Sequence, residues 1–155
     1  MAVITIGDEA KNRGYAANAN VTWITAGSVA NDTGILDTFE IWMQSTGDIT
    51  VGTFSKSNSN FTGRDYEYIG RVSQGSKQTF TGKNCDVESG DYLGGLCTTG
   101  KIERDISGYT GIYYYEGDGF GGTQTYDYLG GDAISIYATG ETAAAGNPYY
   151  YYLQQ

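Results

Sequence analysis

Apolar residues come in short alternating runs separated by Gly, Asn and Asp, the period-two pattern of half-buried strands. Residues 36–43, LDTFEIWM, show it well. Phe39, Ile41 and Met43 fall on one side, and Leu36, Thr38, Glu40 and Trp42 on the other. The first set is read as inward, which leaves Trp42 outward with Glu40 or under a loop. A helix competes for so short a run, but the β-branched and aromatic content and the flanking turns (Asn31-Asp32-Thr33-Gly34 and Ser45-Thr46-Gly47-Asp48) favour a strand. Residues 132–139, DAISIYAT, alternate in the same way: Ala133, Ser135 and Tyr137 against Ile134, Ile136 and Ala138. Strands are also expected at 3–6, 21–26, 49–55, 66–72, 77–81, 92–98, 101–106, 110–116 and 124–129. Residues 14–18, 56–63 and 117–122 read as loops, and Gly108 to Gly111 as a corner between two strands.

About ten strands are too many for one open sheet. The expected fold is all-β, a two-sheet antiparallel jelly-roll-like β-sandwich of about ten strands. An immunoglobulin fold fits less well, because its Cys…Trp…Cys framework is missing. Composition agrees: Gly occurs 24 times, Pro once and Tyr 15 times, with no helical runs of Ala, Leu, Glu and Lys. Gly-Asp recurs at 7–8, 47–48, 90–91, 117–118 and 131–132 with no fixed period. It is therefore turn chemistry, not a repeat. The chain divides into a sandwich domain, 1–140, and a C-terminal linker and Tyr-rich tail, 141–155. Tyr149, Tyr150, Tyr151, Tyr152 and Leu153 are expected to dock on the sandwich or on a neighbour.

Charge and residue usage narrow the function. Eighteen acids against nine bases give a net charge of −9, which argues against nucleic acid and against anionic lipid. There is no histidine, so Ser-His-Asp and Cys-His catalysis are excluded and zinc loses its commonest ligand. No apolar run is long enough for a transmembrane helix, and the N-terminal residues lack the features of a secretion signal. A hairpin of 77–85 with 92–98 would hold Cys85 and Cys97 too far apart to bridge. Free thiols in a reducing compartment are expected, with a disulfide as the lesser alternative.

The densest block is 88–116. Glu103 and Asp105 stand two apart on a strand, so both carboxylates share a face. Concave-sheet glycoside hydrolases use a Glu-x-Asp-x-x-Glu strand, with one acid as nucleophile and another as general acid. Here the third carboxylate is missing, and Glu116 could stand in only from another strand. The competing reading is a solvated strand face with Arg104 pairing elsewhere. Asp86, Glu88 and Asp91 cluster about one turn and Asp118, Asp127 and Asp132 about another, so Ca²⁺ is a possible cofactor; turn geometry alone also explains these acids. Tyr113 and Tyr115 share a face opposite Tyr114, and Tyr126 stands beside Tyr128. Together with Trp42, these rings could contact glycans or protein, or simply pack.

Gly90-Asp91-Tyr92-Leu93-Gly94, the run Ile102 to Tyr114 and the run Gly131 to Tyr137 resemble a group of small, uncharacterised β-sandwich proteins of bacteriophage and environmental metagenome origin. Val51-Gly52-Thr53-Phe54, Arg64-Asp65 and Gly75 to Phe80 fit as well, so that the resemblance covers most of residues 1–142 and omits the tail. It implies a fold and a viral or environmental origin, not a mechanism. Two functional classes follow as expectations. One is a non-enzymatic surface or structural module of a virion, as fibre, decoration or receptor-contact domain, associating with itself or with other surface proteins. The other is a carbohydrate-binding module of surface glycans, or a degenerate glycoside hydrolase.

Overall fold

A computed structural model describes residues 2–142. It holds thirteen strands and no helix: β1 (Val3–Gly7), β2 (Tyr15–Ala17), β3 (Val21–Thr25), β4 (Gly34–Ser45), β5 (Gly47–Ser57), β6 (Asn60–Val72), β7 (Lys77–Phe80), β8 (Cys85–Val87), β9 (Tyr92–Cys97), β10 (Lys101–Glu116), β11 (Thr123–Thr125), β12 (Asp127–Ile134) and β13 (Ile136–Thr142). All of these strands pair antiparallel, in the order β1-β13-β4-β10-β3-β9-β5-β6-β11. β7 and β8 add to β4, and β2 and β12 add to β10. The array folds back on itself into two limbs. One is β1, β13, β4, β7 and β8; the other is built on β10, β3, β9, β5 and β6. They join where the end of β4 meets the start of β10, at Met43 and Ile102. The all-β, sandwich-like class agrees with the sequence, although this strand order does not by itself make the fold a jelly roll.

The main core lies between the limbs. Ile4, Ile6, Leu36, Phe39, Ile41, Met43, Ile136 and Ala138 from the first limb pack with Trp23, Ile49, Val51, Leu93, Ile102 and Ile112 from the second. The inward set Phe39, Ile41 and Met43 is as expected. Leu36, assigned to the opposite side, is buried too. The register slips between Thr139 and Gly140, whose partners are Thr38 and Leu36. Asp37 is therefore an extra residue that returns Leu36 to the core face.

The second limb is covered on its other face as well. Ile24, Phe54, Phe61, Leu96, Phe120 and Tyr126 form a separate cluster, with Tyr92, Tyr113 and Tyr115 against it. Phe61 is its centre, with ring centroids 4.9 Å from Tyr113, 5.0 Å from Tyr126 and 5.3 Å from Tyr92. β9 runs between the two clusters, which accounts for its double glycine. A Cβ on Gly94 would lie 2.8 Å from the Phe54 ring, and one on Gly95 2.6 Å from Ile136 Cδ1.

Several sequence expectations change. The segments 101–106 and 110–116 are one sixteen-residue strand, β10. Gly108 and Gly111 have φ of 89° and 130° and accompany two register shifts against β12; they are bulges inside a strand, not corners between strands. The supposed loop 56–63 is a hairpin of β5 and β6 that turns at Asn58 (φ 57°). Residues 15–17, also read as loop, pair with β10 as β2. Residues 77–85 are not one strand, because β7 and β8 bind β4 separately. Cys85 and Cys97 are free, as expected, and both are buried, although the hairpin expected to hold them apart does not form. Residues 140–142 lie in β13, so strand structure runs past the proposed boundary at 140. Tyr149, Tyr150, Tyr151, Tyr152 and Leu153 lie outside the described residues.

Because Phe61 is fully buried among three aromatic neighbours, Phe61→Ala is expected to cost about 3–5 kcal/mol. Chemical denaturation should show that loss, while Tyr15→Ala at an exposed ring should change stability by less than about 0.5 kcal/mol.

Candidate functional site

The acidic pair of β10 sits beneath the loop at residues 8–14. Glu103 and Asp105 do share a face, but that face is covered. Glu103 Oε2 accepts the backbone N–H groups of Arg13 (3.2 Å) and Gly14 (2.9 Å). Asp105 Oδ2 accepts from Arg13 Nη1 at 2.9 Å. The Arg13 side chain is only 1% exposed, and its other two nitrogens are bound as well. Nε donates to Ser135 Oγ at 2.8 Å and Nη2 to the Glu9 carbonyl at 2.7 Å. Its guanidinium carbon stands 4.8 Å from the centre of the Tyr109 ring. The solvated-face reading does not describe this arrangement, since Glu103 is buried beneath the loop. Arg104 points the other way, as expected. Its Nε and Nη2 hold Asp132 Oδ2 at 2.8 and 2.7 Å, and its guanidinium stacks 5.0 Å from the Trp23 ring.

Ser135 is the second anchor. Its N–H donates to the Glu103 carbonyl on β10, and its own carbonyl accepts from Trp42 on β4. One residue thus hands the chain from the second limb to the first, interrupting the single strand expected over 132–139. Its hydroxyl donates to the Lys11 carbonyl at 2.6 Å. Loop, β10 and corner are tied into one polar assembly.

Beside the assembly is a cleft of about 300 Å³, lined by Asp8, Glu9, Lys11, Arg13, Ser28 and Tyr109 among others. Burial pushes the Asp8 carboxyl up to about 6; the Ile134 N–H that it accepts and the charge of Arg13 oppose this. Lys11 Nζ lies 5.2 Å from the Tyr109 ring centre.

The Asp86, Glu88 and Asp91 group is organised by Arg64. Arg64 Nε and Nη2 both bind Asp91, Nη2 at 3.0 Å, and Nη2 also pairs with Glu88 at 2.9 Å. Asp91 Oδ2 accepts the Glu88 N–H at 2.9 Å as well. Asp86 belongs to a neighbouring contact, its N–H donating to Asp65 at 2.8 Å. An arginine thus supplies the positive charge at this turn, and no group of three acid or cysteine side chains among the described residues is arranged to hold a metal ion. The two thiols are held up by burial, Cys97 to about 12 and Cys85 further, so neither forms a reactive thiolate.

The tyrosine candidates separate. Tyr113 and Tyr115 are half-buried against the aromatic cluster, with Tyr114 on the opposite face against Trp23. Tyr126 is 3% exposed, so it is a packing residue and not a surface contact. It lies in the break between β11 and β12 and packs 5.5 Å from Tyr115. Tyr128 lies 5.1 Å from Tyr113. Trp42 is half-buried on β4, opposite Lys77. Compared with models of known protein families, with curated proteins and with solved structures, the chain finds no match in any of the three.

Sequence reasoning missed Arg13 and Ser135. The available signal was a lone arginine beside glycine in a polar stretch of a base-poor chain, but its partners lie about ninety residues away.

Two outcomes follow. Arg13→Met should cost about 3–5 kcal/mol, because it leaves Asp105 without its cation; adding Asp105→Asn should recover part of the loss in urea melts. For Asp8, the folded chain holds the proton more tightly than the unfolded chain. Stability therefore falls as pH rises from about 4 to about 6 and stays lower above that. The effect is at most about 3 kcal/mol, reduced by solvent reaching the cleft. Asp8→Asn should raise Tm at about pH 7.5 and leave it unchanged at about pH 4.

Proposed function

We propose that the chain is a non-enzymatic structural module carried on the outside of a phage or virus-like particle, as a fibre, decoration or receptor-contact domain. The observation that carries this reading is the ribbon of β10 and β12. Residues 106–110, in the middle of the longest strand, are all exposed. Ile106 and Tyr109 project there, with Tyr128 from β12. Large exposed apolar side chains on a two-stranded ribbon suit a protein contact, where tyrosine gives a rigid ring with a polar tip. The acids best placed for chemistry are held by Arg13, which argues against the glycoside hydrolase alternative. The resemblance to small phage and metagenome β-sandwich proteins points the same way. No helix among the described residues is long and apolar enough to cross a membrane, a statement that leaves strands aside. A carbohydrate-binding role is the second reading, favoured by a recess on the second limb.

The partner in the first instance is a second copy. Sedimentation velocity at micromolar concentration should find a defined oligomer. Ile106→Glu with Tyr128→Glu should convert it to monomer without altering the circular dichroism of the fold. A compact monomer, or an oligomer indifferent to both changes, would count against the ribbon as the contact. Glycan hydrolysis abolished by Glu103→Gln would overturn the non-enzymatic reading.

A further inference from the structure

Thr50, Tyr66, Leu96, Asp118, Phe120 and Gly121 line a recess of about 190 Å³. Thr50 pairs across the strands with Tyr68 on β6 and Leu96 on β9, so the three share one face of the second limb. Tyr66, two residues before Tyr68, shares it too. Their side chains stand about 7 Å apart along the strand. Tyr66 and Tyr68 are 59% and 63% exposed, whereas Phe120 is only 9% exposed. Its ring stands 5.9 Å from Tyr66 at 51° and 5.0 Å from Phe54. A Cβ at Gly52 or Gly63 would strike Phe120, at 2.7 Å from its ring and 2.5 Å from its carbonyl. The Phe120 N–H donates to Asp118 Oδ1 at 2.9 Å. The wall is therefore set in place before any ligand arrives. Two polar functions remain open: the Thr50 hydroxyl and Asp118 Oδ2 have no hydrogen-bond partner among the described residues. No basic side chain lines the recess.

We propose that this recess binds a neutral saccharide, with Tyr66 and Tyr68 as the stacking platform and Asp118 and Thr50 as partners for its hydroxyl groups. A pyranose ring offers an apolar C–H face to an aromatic ring and a rim of hydroxyl groups to acceptors and donors. The recess supplies those two complements side by side. The carboxylate in the wall, on a chain of net charge −9, opposes sulfated, phosphorylated or carboxylated ligands. A cation would be better served by rings facing one another around it. Tyr66 and Tyr68 instead stand along a strand, which suits successive sugar units. The proposal stands on the recess alone and holds whether or not the chain self-associates through β10 and β12.

The test is a glycan array carrying neutral, sulfated and sialylated sets, followed by calorimetric titration of the best neutral hit. Binding to neutral glycans is expected. Tyr66→Ala should weaken it at least about tenfold, and Asp118→Asn by about the same factor. Tyr66→Trp should retain binding, and Tyr15→Ala, at an exposed ring on β2, should leave it within about twofold. Tyr66 is exposed, so these variants should fold, which circular dichroism checks. No neutral glycan bound at millimolar concentration, binding confined to acidic glycans, or equal loss in Tyr15→Ala and Tyr66→Ala would each overturn the proposal.

Discussion

A guanidinium that is almost wholly shut away from water organises this fold. Arg13 reaches from a loop near the N-terminus to Asp105 on β10 and to Ser135 at the corner between β12 and β13. Its own backbone N–H meets Glu103. Burying an unpaired cation is prohibitive, and even a paired one returns little net stability over a well-packed apolar replacement. The value of the arrangement is geometric. A planar fork bound through Nε, Nη1 and Nη2 fixes the loop, β10 and the corner relative to one another. Ser135 then sends its N–H to one limb and its carbonyl to the other. The position of the loop over β10 and of the Asp8 cleft beside it follows from this set of contacts.

The second constraint is that the second limb is buried on both faces. A sandwich sheet usually turns one face to water and reads as strict alternation. Here β3, β5, β9 and β10 feed the main core with one set of side chains and the aromatic cluster with the other. This explains two compositional oddities together. The tyrosines are numerous because a second, smaller core is built largely from rings. The glycines of β9 are there because a strand between two packed layers has little room for side chains on either side. It also decides which tyrosines face water. Those on β6 and on the β10–β12 ribbon lie at the margins of the cluster and stay exposed, whereas Tyr126 beneath the loop does not.

Much of this was legible in the chain and some was not, for identifiable reasons. Period-two alternation found Phe39, Ile41 and Met43 as core and placed Tyr114 opposite Tyr113 and Tyr115, because side-chain direction in a strand is a local property. Bulges defeat that logic. Asp37 shifts the register by one residue, so Leu36 is buried on the face that alternation had denied it. Gly108 and Gly111 looked like turns because a positive φ is needed in turns and bulges alike. The stretch 56–63 looked like a loop because a polar hairpin at a sheet margin has few apolar residues to show its period. The carboxylates of β10 suggested chemistry or solvent. What they meet is an arginine about ninety residues earlier, and no spacing rule contains that distance.

The distribution of charge limits what the surface can recognise. The chain has only nine basic residues, and Arg13, Arg64 and Arg104 are all turned to internal or partly covered carboxylates. The exterior is therefore poorer in positive charge than the composition suggests. A polyanion would meet repulsion over most approaches with few cations to release counterions against. Recognition by such a surface has to rest on shape, on flat rings and on neutral hydrogen-bonding groups. Tyr66 of β6 with Thr50 and Asp118 offers that combination in a recess, and the β10–β12 ribbon offers it on an open face. These surfaces share no residue, so one can face a ligand while the other faces a second copy. Occupying the ribbon need not bury the recess, which lets the contact and binding readings belong to one molecule.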